Sequence, residues 1–463
     1  MTDLDIKNRR VTVVGAARSG LAAAKLLARR GSSVFLTEYG SPELGISEGL
    51  NAEGIRFEFG GHTDRALNAD LFVLSPGVPT NADLVQEALG RNIPVYSEIE
   101  VASWFCKGPI VAVTGSNGKT TTTSLISHLF RTACRDFVVA GNIGFAFSDH
   151  IDEIGDDTAV VLEVSSFQLD HIATFRPRVS VLLNITPDHL NRYENNFDLY
   201  ARSKFRIFEN QQPDDWLVFN HDDEIVRDFV EPWCAERGIT PWPISIEREL
   251  ERGAFVRDGR VVLALPETLN PQSTMIYEEE LMPSDDLALH GRHNLYNSLA
   301  SAIAARAMEI RSDVVRQSLT SFEGVPHRLE TVRTVHDVTY VNDSKATNVN
   351  AVWYALESFS KPVVLIAGGH DKGNDYGPLE RLVSDKVKGI IGLGESGDKV
   401  LADLGSFAEQ TGRAQTMEEA IQYARLMAEP GDVVLLSPAC ASFDMYENYE
   451  QRGEDFKHLV QSL

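Results

Sequence analysis

The chain has 463 residues, and 67 Asp and Glu against 43 Lys and Arg give it a formal net charge of −24 at pH 7. This charge repels nucleic acid and anionic membranes, so neither is predicted as a partner, and an anionic substrate needs local cations or helix N-termini. The four cysteines show no disulfide or metal spacing, and no apolar run is long enough to span a bilayer. These features predict a cytoplasmic protein of about three domains, without membrane insertion.

The first predicted domain, residues 1–98, opens with a strand and the turn Gly15-Ala-Ala-Arg-Ser-Gly20. Ala17 replaces the second glycine of a dinucleotide fingerprint, and its Cβ would hinder the approach of a pyrophosphate, so NAD binding is not predicted. The next helix could still direct its N-terminus at a phosphate, with Ser19 as a donor, and Glu38 lies where a ribose-binding acid is expected. Ordinary tight-turn chemistry is the alternative for these features.

The central predicted domain, residues 99–324, is organised around Gly115-Ser-Asn-Gly-Lys-Thr-Thr121. The apolar run 110–113 predicts a buried strand, and 121–130 predicts a helix. A glycine loop at this junction is typical of phosphate binding through backbone amides, a lysine and a hydroxyl on Mg²⁺. Val113 stands where the standard P-loop has its first glycine, so this loop is shorter. We favour a nucleotide-phosphate site over a chance Gly-Lys-Thr sequence.

Three further side chains in this domain are candidates for chemistry. Glu163 ends an apolar strand, where an acid needs a partner or a metal, although a solvated strand-end acid is the alternative. His189 follows the next apolar run, at the strand end where α/β sheets bind ligands, but a lone His is often structural. Lys204 shares a helical face with apolar residues, which predicts a depressed pKa and a nucleophilic amine unless the side chain snorkels to solvent. Residues 212–285 predict an edge subdomain or an antiparallel region without chemistry.

The third predicted domain, residues 325–463, places polar clusters after several apolar strands. The loops at 342–348, 368–373 and 437–444 each follow such a strand. Any one of them could be an ordinary capped turn. Because the carboxyl ends of parallel strands meet at one edge, the set predicts a shared cleft.

Taken together, these motifs resemble the Mur ligase family, which also includes folylpolyglutamate synthetases. The motifs are Gly115-Ser-Asn-Gly-Lys-Thr120, Glu163-Val-Ser-Ser-Phe-Gln-Leu169, Thr186-Pro-Asp-His189, Tyr200 to Lys204, His293-Asn294, His327-Arg328 and Asn342-Asp-Ser-Lys-Ala-Thr-Asn348. The resemblance implies an α/β protein with a Rossmann-like N-terminal domain, a central P-loop ATPase-like mononucleotide-binding domain and a C-terminal Rossmann-like domain.

The tail Ser437-Pro-Ala-Cys-Ala-Ser-Phe-Asp444, followed by Glu450-Gln-Arg-Gly453, is similar to one branch of this family. That branch uses ATP to add D-glutamate to UDP-N-acetylmuramoyl-L-alanine in cytoplasmic peptidoglycan precursor synthesis, through an acyl phosphate and a tetrahedral intermediate. The implied partners are these small molecules, and the implied state is a monomer.

The resemblance also implies roles for individual residues. The ATP-binding residues are Gly115, Ser116, Asn117, Gly118, Lys119, Thr120, Thr121, Asn294, Asn297, Arg328 and Asp343. The UDP-substrate residues are Ser19, Asn142 and His189, and the D-glutamate residues are Lys345, Thr347, Lys372, Ser442 and Phe443. Two Mg²⁺ ions are implied, one on Thr120 and Glu163 and one on His189 and Lys204, the latter as a carbamate formed from carbon dioxide. The implied catalytic residues are Lys119, Lys204, His189 and Glu163.

Several alternatives remain open from the sequence. Asn294 and Asn297 could instead cap the helix predicted at 298–307. Another ligase of the superfamily, specific for a different amino acid or similar to a folylpolyglutamate synthetase, is the nearest rival, although the latter enzymes begin close to the ATP loop. A P-loop kinase or NTPase switch, a NAD-dependent dehydrogenase built on residues 11–40 and a non-enzymatic binding module are more distant alternatives.

Overall fold

The computed structural model describes residues 6–41, 45–371 and 373–463. It is an α/β structure whose three sheets are mostly parallel, which confirms the predicted fold class. Contacts divide the chain into two compact units, one formed by residues up to 287 with 296–321, and one by 288–295 with 322–463. The predicted boundaries near residues 98 and 324 remain predictions. Within the described ranges, no helix has the length and apolar character needed to cross a membrane.

The first unit begins with a five-stranded parallel sheet in the order β3-β2-β1-β4-β5. Its strands are β1 (Arg10–Val14), β2 (Ser33–Glu38), β3 (Arg56–Phe59), β4 (Leu71–Leu74) and β5 (Val95–Ser97), and its helices are α1 (Arg18–Arg29), α2 (Ile46–Ala52), α3 (Asp83–Gly90) and α4 (Glu98–Ser103). Side chains alternate along β1, so Val13 packs in one apolar layer and Val14 in the other. Both faces of this strand are therefore apolar, and helices pack on both faces of the sheet.

The second sheet of this unit has nine strands in the order β14-β13-β12-β11-β10-β9-β6-β8-β7. The strands are β6 (Ile110–Thr114), β7 (Phe137–Gly141), β8 (Ala159–Glu163), β9 (Val179–Leu182), β10 (Trp216–Asn220), β11 (Pro241–Ser245), β12 (Gly253–Arg257), β13 (Arg260–Pro266) and β14 (Ile276–Pro283). The helices are α5 (Lys119–Thr132), α6 (Ser166–Leu169), α7 (Phe197–Phe205), α8 (Glu224–Arg237), α9 (Arg292–Ala307), whose residues from 296 onward belong to this unit, and α10 (Ser312–Ser321). The antiparallel region predicted at 212–285 is confirmed for β12 to β14, whereas β10 and β11 extend the parallel sheet.

The second unit contains a six-stranded sheet in the order β15-β16-β20-β17-β18-β19, in which β15 alone is antiparallel to its neighbour. Its strands are β15 (Glu330–Val335), β16 (Val338–Asn342), β17 (Val363–Gly368), β18 (Val387–Leu393), β19 (Gln410–Ala414) and β20 (Val433–Leu436). Its helices are α11 (Val349–Glu357), α12 (Glu380–Lys386), α13 (Gly397–Leu404), α14 (Met417–Met427) and α15 (Tyr449–Gln461). The predicted strand ends at Asn342, Gly368 and Leu436 therefore belong to adjacent parallel strands.

One helix start differs from the prediction. Helix α9 begins at Arg292, whereas the sequence predicted a start at Ser298. The prediction began too late because the first turn of the helix is polar and its apolar residues follow later. Asn294 and Asn297 therefore lie inside the helix, and the alternative in which they cap it is wrong. The Asn294 amide instead donates to the His290 carbonyl at 2.9 Å.

Two buried carboxyl groups on α4 have opposite surroundings. Glu100 accepts five hydrogen bonds of 2.6–2.9 Å, from the segment Ala173–Phe175 and from the Trp104 indole. Glu98 accepts one, from the Ser148 N–H at 2.6 Å, and its Oε2 has no hydrogen-bond partner among the described residues. Burial raises the pKa of Glu98 to about 7, although the Ser148 contact opposes this shift.

This environment predicts that Glu98→Gln stabilises the protein in a pH-dependent way. Glu98 ionises near pH 4.5 when unfolded but near pH 7 when folded, so its contribution to the free energy of unfolding falls as the pH rises through that window. The variant should match the wild type below pH 4.5 and exceed it by up to about 3 kcal/mol at pH 8. Denaturant unfolding at both pH values tests this, with the exposed Glu87→Gln as control. A difference in the free energy of unfolding that is the same at both pH values would contradict this prediction.

Candidate active site

The central glycine loop joins β6 to the N-terminus of α5. Gly115 has φ +153° and Gly118 has φ +84°, both in the region that favours glycine. A Cβ on Gly118 would lie 2.4 Å from Asn297 Oδ1, and that oxygen also accepts a 3.2 Å hydrogen bond from Thr122. Glycine therefore allows α9 to pack directly against the loop, which lies at the positive end of a 14-residue helix.

Two lysine amines converge on one carbonyl oxygen of this loop. Lys119 Nζ donates to the Gly115 oxygen at 2.8 Å and to the Ser116 oxygen at 2.9 Å, and Lys204 Nζ donates to the same Gly115 oxygen at 2.9 Å. Lys204 extends from α7, with its amine 4.9 Å from the centre of the Tyr200 ring. The structure thus joins two predicted catalytic residues that are far apart in the sequence.

Lys204 is 2 % exposed, so the alternative in which it snorkels to solvent is wrong. Burial, and then the charge of Lys119, hold the pKa of Lys204 well below its usual value, and the carboxylates of Asp188, Asp170 and Glu163 offset this only in part. The neutral form of the Lys204 amine is therefore favoured relative to that of an exposed lysine. A neutral primary amine is a nucleophile, as the sequence predicted.

Glu163 lies at the carboxyl end of β8, beside β6. It is 2 % exposed, which excludes the alternative of a solvated acid. Its Oε1 accepts a 2.7 Å hydrogen bond from the Asn142 amide, and its backbone oxygen accepts the Asn142 N–H at 2.8 Å. Its Oε2 is buried and has no hydrogen-bond partner among the described residues. Because a buried carboxylate oxygen requires a partner, this atom fits a divalent cation.

The other predicted metal ligands lie in the same unit. Thr120 is buried in the first turn of α5. His189 follows β9 with φ +51°, and its ring packs edge-on against Phe167 of α6 at 5.3 Å between centres. Its side chain is 53 % exposed. Across the described part of the chain, no group of three or more His, Cys, Asp or Glu side chains is arranged to hold a metal ion.

Hydrogen bonds to the glycine loop also come from three residues to which the sequence analysis gave no role. Asn184 and Thr186 follow β9, and Tyr200 lies on α7; all three contact Ser116 or Asn117. Two of these contacts span 67 and 84 residues of chain. The Asn184-Ile-Thr-Pro-Asp-His189 motif contained the first two, but only His189 stands out there by residue type.

The N-terminal sheet has its own cavity, of about 460 Å³, at the carboxyl ends of β1, β2 and β4. Gly15, Glu38 and Ser75 contribute to its lining, whereas Ser19 lies on α1 and is not among the lining residues. Glu38 accepts the Ala16 N–H at 2.7 Å and the Gly40 N–H at 2.8 Å. Burial would raise the pKa of Glu38, but these amides hold it below its usual value. The carboxylate expected to bind ribose thus stabilises its own loop.

In the second unit, Asp343 is the best-defined predicted ATP residue. Its two oxygens accept hydrogen bonds from the Leu329 N–H at 3.2 Å and the Ser437 hydroxyl at 2.7 Å. Burial raises the pKa of Asp343 to about 6, and the nearby charge of Arg328 opposes the shift. Desolvation, and then the charge of Arg328, lower the pKa of the partly buried His293. The predicted pair Arg328 and Asp343 therefore shares one polar cluster.

The predicted D-glutamate residues differ from one another in burial and in their contacts. Lys345 Nζ lies 5.4 Å from the centre of the Tyr449 ring, and Ser442 is buried. Thr347 follows in the same turn, with its N–H donating to the Lys345 carbonyl at 2.9 Å. Phe443 is 66 % exposed. Lys372 lies outside the described residues.

The sequence analysis gave no role to Tyr449 or to Arg452, although the motif Glu450-Gln-Arg-Gly453 contains Arg452. Arg452 is buried and donates to the Ser344 hydroxyl at 2.9 Å, the Ser344 carbonyl at 2.8 Å and the Cys440 carbonyl at 3.1 Å. It thus ties the loops after β16 and β20 together.

Three family models match consecutive parts of the chain. They are the MurD N-terminal domain over residues 10–84, the Mur ligase middle domain over 113–305, and the Mur ligase glutamate ligase domain over 327–440. The chain belongs to the Mur ligase family.

Two proteins similar to this chain share the name of one particular ligase. A protein of Salinibacter ruber named UDP-N-acetylmuramoylalanine–D-glutamate ligase is 58 % identical over the full length of both chains. A Chloroherpeton thalassium protein of the same name is 44 % identical, also over the full length of both. Among solved structures, a MurF ligase from Thermotoga maritima in complex with ADP matches with a TM-score of 0.59 at 17 % identity and covers both chains completely. That likeness supports the shared fold.

Proposed function

We propose that this protein is an ATP-dependent ligase that joins D-glutamate to UDP-N-acetylmuramoyl-L-alanine, with release of ADP and phosphate. The observation that carries the proposal is the convergence of Lys119 and the buried Lys204 on the Gly115 carbonyl, in the unit that also buries a Glu163 oxygen without a hydrogen-bond partner among the described residues. Relatives named for this reaction, similar over the whole chain, support the choice of substrates. The reaction belongs to peptidoglycan precursor synthesis in the cytoplasm, and we propose a monomer.

The chemistry requires activation of a carboxylate, because oxide is too poor a leaving group for direct amide formation. ATP phosphorylates the L-alanine carboxylate to an acyl phosphate. The D-glutamate amine then attacks, and phosphate leaves from a tetrahedral intermediate. Protein groups act mainly by alignment and charge neutralisation. The amides of the loop from Gly115 to Thr121 and the Lys119 ammonium would hold the β- and γ-phosphates.

Lys204 would react with carbon dioxide before catalysis. Its neutral amine attacks the carbon, a new N–C bond forms, and one proton is released to give an anionic carbamate. Thr120 and Glu163 would hold one Mg²⁺, and His189 with the Lys204 carbamate would hold a second. When bound, these ions neutralise charge on the phosphates and on the acyl oxygen. The Asn142 amide, held against Glu163, would orient the substrate arm.

The remaining predicted residues complete the proposal. Asn294, Asn297, Arg328 and Asp343 would bind the nucleoside side of ATP, and Ser19 would donate to the UDP end of the substrate. Lys345, Thr347, Lys372, Ser442 and Phe443 would form the D-glutamate pocket, with Lys372 opposite a carboxylate.

We expect Glu163→Gln to shift the Mg²⁺ requirement. Loss of the anionic ligand should raise the Mg²⁺ concentration for half-maximal phosphate release about 10- to 100-fold. A Mg²⁺ titration of activity, with calorimetric MgADP binding as a second readout, measures the shift. Glu153→Gln is the control, because that exposed carboxyl pairs with His150 on the surface. An unchanged Mg²⁺ dependence would remove Glu163 from the metal site.

The function is tested by phosphate release with ATP, Mg²⁺ and UDP-N-acetylmuramoyl-L-alanine. D-glutamate should be required, and L-glutamate, L-lysine and diaminopimelate should not replace it. Release with another of these amino acids would keep the reaction and change the substrate. Release without any amino acid would favour an NTPase, and no release at all would refute the ligase proposal.

A further inference from the structure

Two side chains from outside the glycine loop, those of Asn184 and Tyr200, form hydrogen bonds with it. The Asn184 amide makes a reciprocal pair with the backbone of Asn117, accepting its N–H at 2.8 Å and donating to its carbonyl at 3.0 Å. This pair fixes the orientation of one peptide unit on each side of the Asn117 Cα, because a side-chain amide can satisfy both groups in only one pose.

The second hydrogen-bonded group of the loop is the Ser116 hydroxyl, which makes three contacts. Its oxygen is 2.8 Å from the Thr186 carbonyl, 2.9 Å from the Thr186 N–H and 2.8 Å from the Tyr200 hydroxyl. The carbonyl can only accept, so the single Ser116 proton is used there. The Tyr200 hydroxyl must therefore donate to Ser116.

We propose that Asn184 and Tyr200 are positioning residues, which hold Ser116 and Asn117 in the conformation that binds nucleotide phosphates. The inference rests on the proposed ATP site. Helix α7 carries Tyr200 and the segment after β9 carries Asn184, and neither side chain needs to touch a phosphate. A loop whose amides are already aligned loses less conformational entropy on binding, so these contacts should set nucleotide affinity.

The same tyrosine also packs beneath the Lys204 amine, but through its ring rather than its hydroxyl. Tyr200→Phe therefore removes the hydrogen bond to Ser116 and keeps the ring contact with Lys204. The chain offers a matched control in Tyr193, a second mostly buried tyrosine. Its hydroxyl contacts Asp170 at 2.9 Å and Ser203 at 3.3 Å, with no hydrogen bond to the loop.

The test compares Tyr200→Phe, Tyr193→Phe and Asn184→Ala with the wild type. We expect Tyr200→Phe to raise the calorimetric Kd for MgADP and the KM for ATP about threefold to tenfold, the effect of one neutral hydrogen bond. Asn184→Ala removes two bonds and should raise both constants about 10- to 100-fold. The KM for D-glutamate should stay unchanged in each variant. Tyr193→Phe should leave all three constants unchanged.

A double-mutant cycle guards against a purely structural effect. In a Ser116→Ala background, Tyr200→Phe should cause no further rise in the Kd for MgADP, because its partner is already absent. Equal effects of the two tyrosine variants, or additivity in this cycle, would overturn the inference. Failure of the wild type to bind MgADP would instead refute the proposed function on which it rests.

Discussion

Lys204→Met should lower the rate of phosphate release by about two to three orders of magnitude, comparable to the loss of one electrostatic contact to the transition state. Methionine preserves the buried apolar stem but cannot form a carbamate. The amine it removes is buried and donates a single hydrogen bond, to the Gly115 carbonyl, among the bonds given for it, so the variant should fold and retain MgADP binding within about tenfold. Steady-state phosphate release and calorimetry separate the two effects.

Rescue experiments distinguish a carbamate from a structural lysine. Lys204→Ala leaves space for a small ligand, so formate or acetate should restore part of the activity, whereas bicarbonate should not. In the wild type, ¹³C-labelled bicarbonate should give a carbamate carbon signal that is absent from Lys204→Met. Lys388→Met serves as the control, because that lysine pairs with Glu429 and Asp432 in the second unit. Full activity in Lys204→Ala would contradict the carbamate.

Lys119→Ala should abolish acyl-phosphate formation, with a loss of about three orders of magnitude in the first chemical step. Lys119 is the cation of the glycine loop, and transfer of a γ-phosphoryl group requires compensation of its charge. Rapid quenching with labelled ATP, in the absence of D-glutamate, measures this step by itself. Lys119→Arg should restore only part of the rate, since a planar guanidinium does not reproduce a compact ammonium.

The control for this experiment is Lys25→Ala, on α1 of the N-terminal sheet. It removes the same charge without changing the glycine loop, so phosphoryl transfer should match the wild type. Wild-type acyl-phosphate formation in Lys119→Ala would remove Lys119 from the mechanism. A slow first step with normal ATP affinity would place its effect in the transition state rather than in binding.

Much of the fold follows from local patterns. The apolar run at 110–113 predicted β6, and the apolar strands predicted before the loops at 342–348 and 437–444 are β16 and β20, because buried parallel strands are apolar on both faces. Helix α9 was predicted six residues too short, since its first turn is polar. Strands β10 and β11 were not predicted, because their short apolar runs lie between polar, Pro-containing segments.

The sequence by itself determined the α/β class, the glycine loop between β6 and α5 and most candidate ligands, because those features are encoded by residue type and by spacing within a few turns. Tertiary structure alone decided which distant groups meet. Lys204 reaches the Gly115 carbonyl across 89 residues, and Tyr200 reaches Ser116 across 84. The tertiary structure also decided the surroundings of two carboxylates. Glu38 accepts hydrogen bonds from backbone N–H groups of neighbouring loops, whereas one Glu163 oxygen has no hydrogen-bond partner among the described residues. Such contacts depend on strand order and helix packing, which no local pattern specifies.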